Sequence, residues 1–229
     1  MAKASHDLAQ ARFYGILDTG YVSDKDWELK CQALITGGAD IIQLRAKKQS
    51  STERLALLER ILPFFTEKAP PLIINDDLEL ALAYPGLGLH VGQDDLSVIE
   101  ARAALGPERI LGLSTHSVAQ AQGAIGQVNL LDYFAVGPVF ATPTKPTYTP
   151  VGLQLVATVA GWDDAGKVAL PWFSIGGINR QTVSEVTKAG AKRIVVVSDV
   201  LCAEDTASAI QQIKAEMPEA GHPYPLTRD

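Results

Sequence analysis

Charged residues that suit phosphate and metal chemistry follow three successive apolar runs of the sequence. Arg45 and Lys47 stand two positions apart at the end of an apolar run, and Asp76 and Asp95 follow the next two apolar runs. An Arg guanidinium offers a planar fork and a Lys ammonium a point charge, and both bind phosphate oxygens. One or two carboxylates together with substrate phosphates are the usual ligands of Mg²⁺. We therefore expect Asp76 and Asp95 to share a divalent cation, with Arg45 and Lys47 leaving the strand end on the same side.

A second group suits an anion further along the chain. Gly176 and Gly177 follow an apolar run and precede a helical pattern in which Asn179 fits the N-cap, and Ser198 follows the last apolar run. Glycines before a helix let backbone N–H groups approach a phosphate. The pattern therefore predicts a second anion site, separate from the metal and cation group.

Eight short apolar runs must position these residues, and their length is typical of strands buried on both faces. The predicted strands are Phe13–Leu17, Asp40–Leu44, Leu72–Asn75, Leu87–Val91, Ile110–Leu113, Tyr133–Val136, Trp172–Ile175 and Arg193–Val197. Helical periodicity covers the intervals, at about 24–35, 51–68, 77–84, 96–105, 117–126, 152–160, 180–189 and 204–216.

Eight strand–helix units predict an α/β protein with a closed (β/α)₈ barrel, the TIM barrel. A doubly wound open sheet is the alternative if two strands are wrong. We expect residues 1–12 to form an N-terminal extension, 13–216 a single catalytic domain and 217–229 a loosely ordered tail. In a (β/α)₈ barrel the active site lies at the carboxyl ends of the strands. Both groups described above follow strands and would share that rim.

Net charge, cysteine spacing and the lack of targeting segments narrow the classes of function that we expect. The 229 residues sum to a formal charge of −6, which does not attract nucleic acid or anionic membranes. Cys31 and Cys202 form no C-x-x-C pair, so we interpret both as small buried residues. A signal-type segment and an apolar stretch of membrane length are both lacking, which predicts a cytoplasmic protein with small-molecule substrates. Homo-oligomer formation is left open.

Several of these residues have plainer interpretations. Taken alone, Arg-x-Lys is a solvated rim pair, an Asp-Asp pair a helix cap and Gly-Gly a tight turn. Ser114 could cap a helix, His90 at an apolar strand end suits a structural role, and His116 stays unassigned. Their joint placement at successive strand ends favours the functional interpretation.

The ordered set of motifs resembles the thiamine-phosphate synthase family. The resemblance covers about residues 13–212 and rests on several short segments. They are Gln43-Leu44-Arg45-x-Lys47, Asn75-Asp76, Gly92-Gln93-Asp94-Asp95, Ser114-x-His116, Gly137-Pro138-Val139-Phe140, Thr142-Pro143-Thr144-Lys145, Ile175-Gly176-Gly177-Ile178 and Val197-Ser198.

The resemblance implies a transferase. It would join 4-amino-2-methyl-5-hydroxymethylpyrimidine diphosphate to a thiazole phosphate and release diphosphate, with one Mg²⁺ per active site on Asp76 and Asp95. The residues implied for the pyrimidine diphosphate are Gln43, Leu44, Arg45, Ala46, Lys47, Asn75, Ser114 and Lys145. Among these, Arg45, Lys47, Ser114 and Lys145 would be catalytic. The residues implied for the thiazole phosphate are Thr142, Pro143, Thr144, Gly176, Gly177, Val197 and Ser198.

Two alternatives stay open. A thiazole tautomerase on the same barrel needs the second anion site but no metal pair, and a non-catalytic sensor of phosphate ligands needs neither metal nor turnover. Asp199 departs from the family pattern, which has a small residue there, and places an acid near the expected phosphate pocket.

Overall fold

The computed structural model describes residues 8–142 and 149–219. Its strands are β1 (Phe13–Asp18), β2 (Ile41–Arg45), β3 (Leu72–Asn75), β4 (Gly88–Val91), β5 (Leu111–Thr115), β6 (Tyr133–Val136), β7 (Trp172–Ile175) and β8 (Ile194–Val196). They pair in chain order, all parallel, and β8 closes on β1. The predicted (β/α)₈ barrel is therefore confirmed, and the open sheet is excluded.

Helices follow the strands around the outside of the barrel. They are α1 (Trp27–Thr36), α2 (Ser51–Ile61), α3 (Leu78–Ala83), α4 (Val98–Leu105), α5 (Val118–Ile125), α6 (Gly152–Asp164), α7 (Val183–Lys188), α8 (Ser198–Leu201) and α9 (Thr206–Ala215). Short 3₁₀ turns cover Asp24–Asp26 and Leu62–Phe64. Over the described ranges, none of the helices is long and apolar enough to cross a membrane.

The ends of several elements differ from the prediction for local reasons. The second helix was expected to reach residue 68 but ends at Ile61, because Pro63 lacks the N–H that continues an α-helix. The strand expected to end at Leu113 includes Ser114 and Thr115, which pair with β6. The seventh helix begins at Val183, so Asn179 is not its N-cap, although its Oδ1 accepts from the N–H groups of Gln181 and Thr182.

Two apolar layers hold the barrel together. The outer layer lies between strands and helices, and the inner layer fills the barrel. Tyr14, Tyr133 and Phe173 meet edge to face in the inner layer, with ring centroids 5.5–5.8 Å apart. Gly112 makes room for this group, because a Cβ there would lie 2.1 Å from the Tyr133 ring. Side chains therefore fill this part of the barrel interior.

The segment before β1 packs with the inner layer. Leu8 and Ala11 are buried in that cluster, and Arg193 donates from Nη2 to the carbonyl of Ala9 at 2.6 Å. Residues 1–7 and 220–229 lie outside the described ranges. The domain bounds at 13 and 216 and the expected looseness of the tail stay predictions.

Candidate active site

The strand register brings polar side chains to one end of the barrel. Side chains alternate between faces, and paired residues share a face. Gln43 on β2 and Asn75 on β3 face inward one layer apart, and Asn75 pairs with His90 on β4. Ser114 on β5 pairs with Ala135 on β6. These inward positions lie near the carboxyl ends of their strands, where the sequence placed the site.

A pocket opens above the aromatic interior at this end. It encloses about 800 Å³ of space, including the part open to solvent. The predicted residues in its wall are Gln43, Arg45, Asn75, Ser114, Thr142, Gly176, Gly177, Val197 and Ser198. The structure therefore brings residues assigned to both substrates into one cavity. Pro143, Thr144 and Lys145 lie outside the described residues.

Arg45 is held at the pocket wall by a buried acid. Its Nη1 lies 2.6 Å from Oδ2 of Asp18, which is 1% exposed and pairs with Arg45 in the β1–β2 register. The other Asp18 oxygen, Oδ1, accepts from the N–H of Gly20 at 2.8 Å. Asp18 therefore fixes one edge of the Arg45 guanidinium. Asp18 was not among the site residues predicted from the sequence.

Lys47 contacts the residue that follows β3, the other neighbour of β2. Its Nζ lies 2.7 Å from Oδ2 of Asp76, beyond the end of β3, whereas Arg45 contacts β1. The expectation that Arg45 and Lys47 leave on the same side is therefore wrong. Lys47 lies two residues beyond the end of β2, where the alternation of strand side chains no longer applies.

A smaller cavity beside the main pocket contains this ion pair. Asp95, Leu44 and Ala46 line it together with Lys47 and Asp76. Asn75 joins the two spaces, because it lines both and donates from Nδ2 to Oδ2 of Asp76 at 2.6 Å. The predicted metal ligands are thus adjacent to the pocket that carries Arg45 and Ser114.

Two carboxylates meet in this smaller cavity. The Asp95 side chain lies close enough to that of Asp76 for the two carboxyl groups to interact, and its Oδ2 accepts from the N–H of Gly92 at 2.8 Å. Burial, followed by the contact with Asp76, raises the pKa of the Asp95 carboxyl. Two facing carboxylates are stabilised by a shared cation, so the donor set fits a hard divalent ion. Within the described ranges no group of three or more His, Cys, Asp or Glu side chains could hold a metal ion. A cation here would therefore take further oxygens from substrate or water.

The backbone at Asp76 is unusual. Its φ is +60°, the one positive value found for a residue other than glycine in the described part of the chain. Its N–H donates to the carbonyl of His90 at 2.9 Å, which ties the end of β3 to β4. Left-handed backbone costs a side-chain-bearing residue free energy, although Asp and Asn tolerate it better than most. The fold holds this carboxylate in place against that cost.

The expected thiazole phosphate end is built by two loops that pack on each other. The N–H of Phe140 donates to the carbonyl of Gly176 at 3.0 Å. Gly177 has a φ of +65°, and a Cβ there would lie 2.7 Å from the Cβ of Phe140. The small size of Gly177 is thus required by packing, whether or not a phosphate approaches it. Ser198 is the first residue of α8 and lines the pocket.

Asp199 is neutralised by a neighbour. Its Oδ2 accepts from both the N–H and the Nε of Arg180, at 3.1 and 3.0 Å. Arg180 thereby offsets the negative charge that departs from the family pattern.

The histidines differ in their surroundings. His90 is 7% exposed and contacts Tyr133 and Ser114 through its two ring nitrogens. His116 lines the pocket, and its Nδ1 lies 2.5 Å from the carbonyl of Gly137. Both residues are thus part of the pocket wall. The cysteines differ as well, because Cys31 is buried as expected and Cys202 is exposed, contrary to expectation.

Known proteins resemble this chain in sequence and in fold over most of its length. The family model described as thiamine monophosphate synthase matches residues 13–200. Thiamine-phosphate synthase of Acidothermus cellulolyticus is 40% identical over 213 residues, which are 93% of this chain and 98% of that protein. The corresponding protein of Shouchella clausii is 38% identical over 91% of this chain and 97% of its own length. Thiamine phosphate pyrophosphorylase from Pyrococcus furiosus superposes with a TM-score of 0.71 at 26% identity, covering 93% of this chain and 98% of that structure. The chain belongs to the thiamine-phosphate synthase family.

Proposed function

We propose that this chain joins 4-amino-2-methyl-5-hydroxymethylpyrimidine diphosphate to a thiazole phosphate, giving thiamine phosphate and diphosphate. The observation that carries the proposal is the adjacency of two sites. The pocket with Arg45 and Ser114 shares Asn75 with the cavity that holds Lys47, Asp76 and Asp95. A diphosphate placed at this junction would lie between Arg45 on one side and, on the other, Lys47 with the carboxylate pair proposed to bind the metal.

The chemistry we propose is dissociative substitution. The bond between the pyrimidine methylene carbon and the diphosphate oxygen breaks first, and both bonding electrons leave with the diphosphate. The thiazole nitrogen then attacks the resulting pyrimidinylmethyl cation and forms the new carbon–nitrogen bond. This reaction needs no protein nucleophile, so the residues act mainly by positioning two substrates and stabilising charge.

Individual roles follow from where each residue lies. Arg45 binds the diphosphate with the guanidinium edge that Asp18 leaves free, and Ser114 donates to a diphosphate oxygen. Asp76 and Asp95 hold one Mg²⁺, which when bound supplies positive charge for the departing diphosphate. Lys47 adds a further cation next to that pair.

The remaining assignments concern the substrate ends. We propose that Gln43, Leu44, Ala46 and Asn75 contact the pyrimidine diphosphate. Lys145, which is not among the described residues, is proposed as a further contact. Thr142, Pro143, Thr144, Gly176, Gly177, Val197 and Ser198 would bind the thiazole phosphate. The cytoplasmic location and the oligomeric state stay predictions.

The deciding experiment is incubation of the purified chain with both substrates and Mg²⁺. We expect thiamine phosphate, detected by mass and by thiochrome fluorescence, and diphosphate in equal amount. Omission of either substrate or chelation of the metal should abolish both products. Interconversion of thiazole phosphate isomers without consumption of the pyrimidine would instead identify a tautomerase. Tight binding of both substrates without turnover would identify a sensor.

A further inference from the structure

A continuous series of hydrogen bonds crosses the barrel beneath the pocket. The Nε2 of Gln43 donates to the hydroxyl of Tyr14 at 2.7 Å, and that hydroxyl lies 2.9 Å from the hydroxyl of Tyr133. The Tyr133 hydroxyl lies 2.9 Å from Nδ1 of His90, whose Nε2 lies 2.9 Å from Oγ of Ser114. We call these five residues the hydrogen-bond relay. Its two ends, Gln43 and Ser114, are both proposed substrate contacts.

The relay is largely buried, although four of its members line the floor and wall of the pocket. Its members come from β1, β2, β4, β5 and β6, and none is more than 7% exposed. Burial raises the pKa of the Tyr14 and Tyr133 phenols above the ordinary value, so both keep their protons at neutral pH. Each phenol therefore has one proton to donate. In a buried series, the direction of one hydrogen bond then constrains the direction of the next.

The direction follows from the Gln43 amide. Nε2 donates to the Tyr14 oxygen, and the other hydrogen-bond partner of that hydroxyl within the described ranges is the Tyr133 hydroxyl. A buried hydroxyl needs an acceptor for its proton, so this arrangement directs the Tyr14 proton to Tyr133. The Tyr133 proton is in turn directed to Nδ1 of His90, which makes that nitrogen an acceptor. His90 is then neutral, carries its proton on Nε2 and donates to Oγ of Ser114.

This direction determines what Ser114 offers to the pocket. Its oxygen already accepts from His90, so its own proton is directed into the pocket. A diphosphate presents only acceptor oxygens and needs a donor. In the opposite direction, Ser114 would give its proton to His90 and present lone pairs to the anion. The direction inferred from the Gln43 amide is the one that favours an anionic leaving group, increasingly so as its charge grows.

We propose that Tyr14, Tyr133 and His90 are positioning residues that fix Ser114 as a hydrogen-bond donor toward the departing diphosphate. The proposal rests on the proposed function for its kinetic effect. The proton positions that it assigns are independent of any activity.

The first test removes one link of the relay. Tyr133→Phe keeps the ring and deletes the hydroxyl between Tyr14 and His90. We expect kcat to fall about fivefold, which corresponds to about 1 kcal/mol, with KM for either substrate changed less than twofold. Tyr84→Phe is the matched control, because it deletes an exposed hydroxyl that donates to Glu59 at 2.8 Å. The control should leave both constants unchanged.

A double-mutant cycle separates positioning from simple packing. If Tyr133 acts through Ser114, adding Tyr133→Phe to Ser114→Ala should cost less than twofold in kcat. An equal fivefold loss in both backgrounds would show that the hydroxyl acts by another route and would overturn the proposal.

The second test reads the proton on His90 directly. In the full chain labelled with ¹⁵N-histidine, His90→Asn identifies the His90 signals among those of the four histidines. We expect a neutral ring protonated on Nε2 in the wild type. A proton on Nδ1, or on both nitrogens, would overturn the proposal even if Tyr133→Phe failed to fold. Because this measurement needs no turnover, the relay can fail while synthase activity stands, and the reverse.

Discussion

The Asp18 carboxylate lies 2.6 Å from the Arg45 guanidinium, and the two residues end neighbouring strands of the barrel. Both side chains are largely buried, with 2% and 13% exposed. The cation proposed to receive the diphosphate is therefore oriented before substrate arrives. The same arrangement makes Asp18 structurally important, because its removal leaves a buried charge without a partner.

We predict that Asp18→Asn lowers the free energy of unfolding by about 3 kcal/mol, since breaking a buried pair strands the remaining charge. The matched control is Asp199→Asn, which breaks a more exposed pair with Arg180 and should cost less than about 1 kcal/mol. Urea unfolding followed by tryptophan fluorescence measures both. Equal losses in the two variants would contradict the distinction.

Arg45→Ala should raise KM for the pyrimidine diphosphate and lower kcat, because the lost contact binds the substrate and strengthens as charge grows on the departing diphosphate. Arg45→Lys should recover only part of this loss, since an ammonium cannot contact Asp18 and the diphosphate with the same planar fork. Steady-state kinetics with each substrate varied in turn provide the measurement. Full activity in Arg45→Ala would refute the assignment.

Asp76→Asn and Asp95→Asn should each slow the reaction by roughly 10²–10⁴-fold, because stabilisation by the metal is worth about 3–5 kcal/mol. The double variant should be little slower than either single one, since the two carboxylates act as a unit. Single-turnover kinetics across a Mg²⁺ titration check this. Wild-type activity that survives exhaustive chelation would rule out the metal role.

Ser198→Ala should raise KM for the thiazole phosphate severalfold and leave KM for the pyrimidine diphosphate unchanged, because Ser198 lines the pocket at the β8 end. Gly177→Val is a poor probe of the same site, since its side chain would collide with Phe140. Steady-state kinetics with each substrate varied in turn measure the two KM values. A matched rise in both KM values for Ser198→Ala would point to a folding defect.

The two thiols should react at very different rates. Burial raises the pKa of Cys31 to about 12, whereas Cys202 is exposed. A disulfide reagent at pH 8 should therefore modify one thiol per native chain and two after denaturation. Mass mapping should locate the native label at Cys202, and rapid labelling of Cys31 would show that the packing around α1 opens readily.

Much of the barrel was predictable because each strand is a short apolar run followed by polar residues. The ends of β3, β6 and β7 were predicted to the residue. Local patterns also singled out Asp76 and Asp95, since a carboxylate directly after an apolar run, or a few residues beyond it, can be recognised from the sequence alone.

Long-range pairing limited the rest. Asp18 ends β1 and carried the same signal as Asp76, but its partner Arg45 is 27 positions away. Tyr14 and Tyr133 are 119 positions apart and were indistinguishable from apolar strand residues. Their contact depends on the closure of the barrel and on the space above Gly112, neither of which is a local property.

The left-handed backbone at Asp76 has a consequence for directed evolution. Glycine at this position would relieve the backbone cost and raise stability by roughly 0.5–1 kcal/mol, while removing the proposed metal ligand. A screen that selects only for heat resistance would therefore enrich inactive chains at position 76. Libraries built on this barrel should hold that codon fixed or couple every thermal selection to growth without added thiamine.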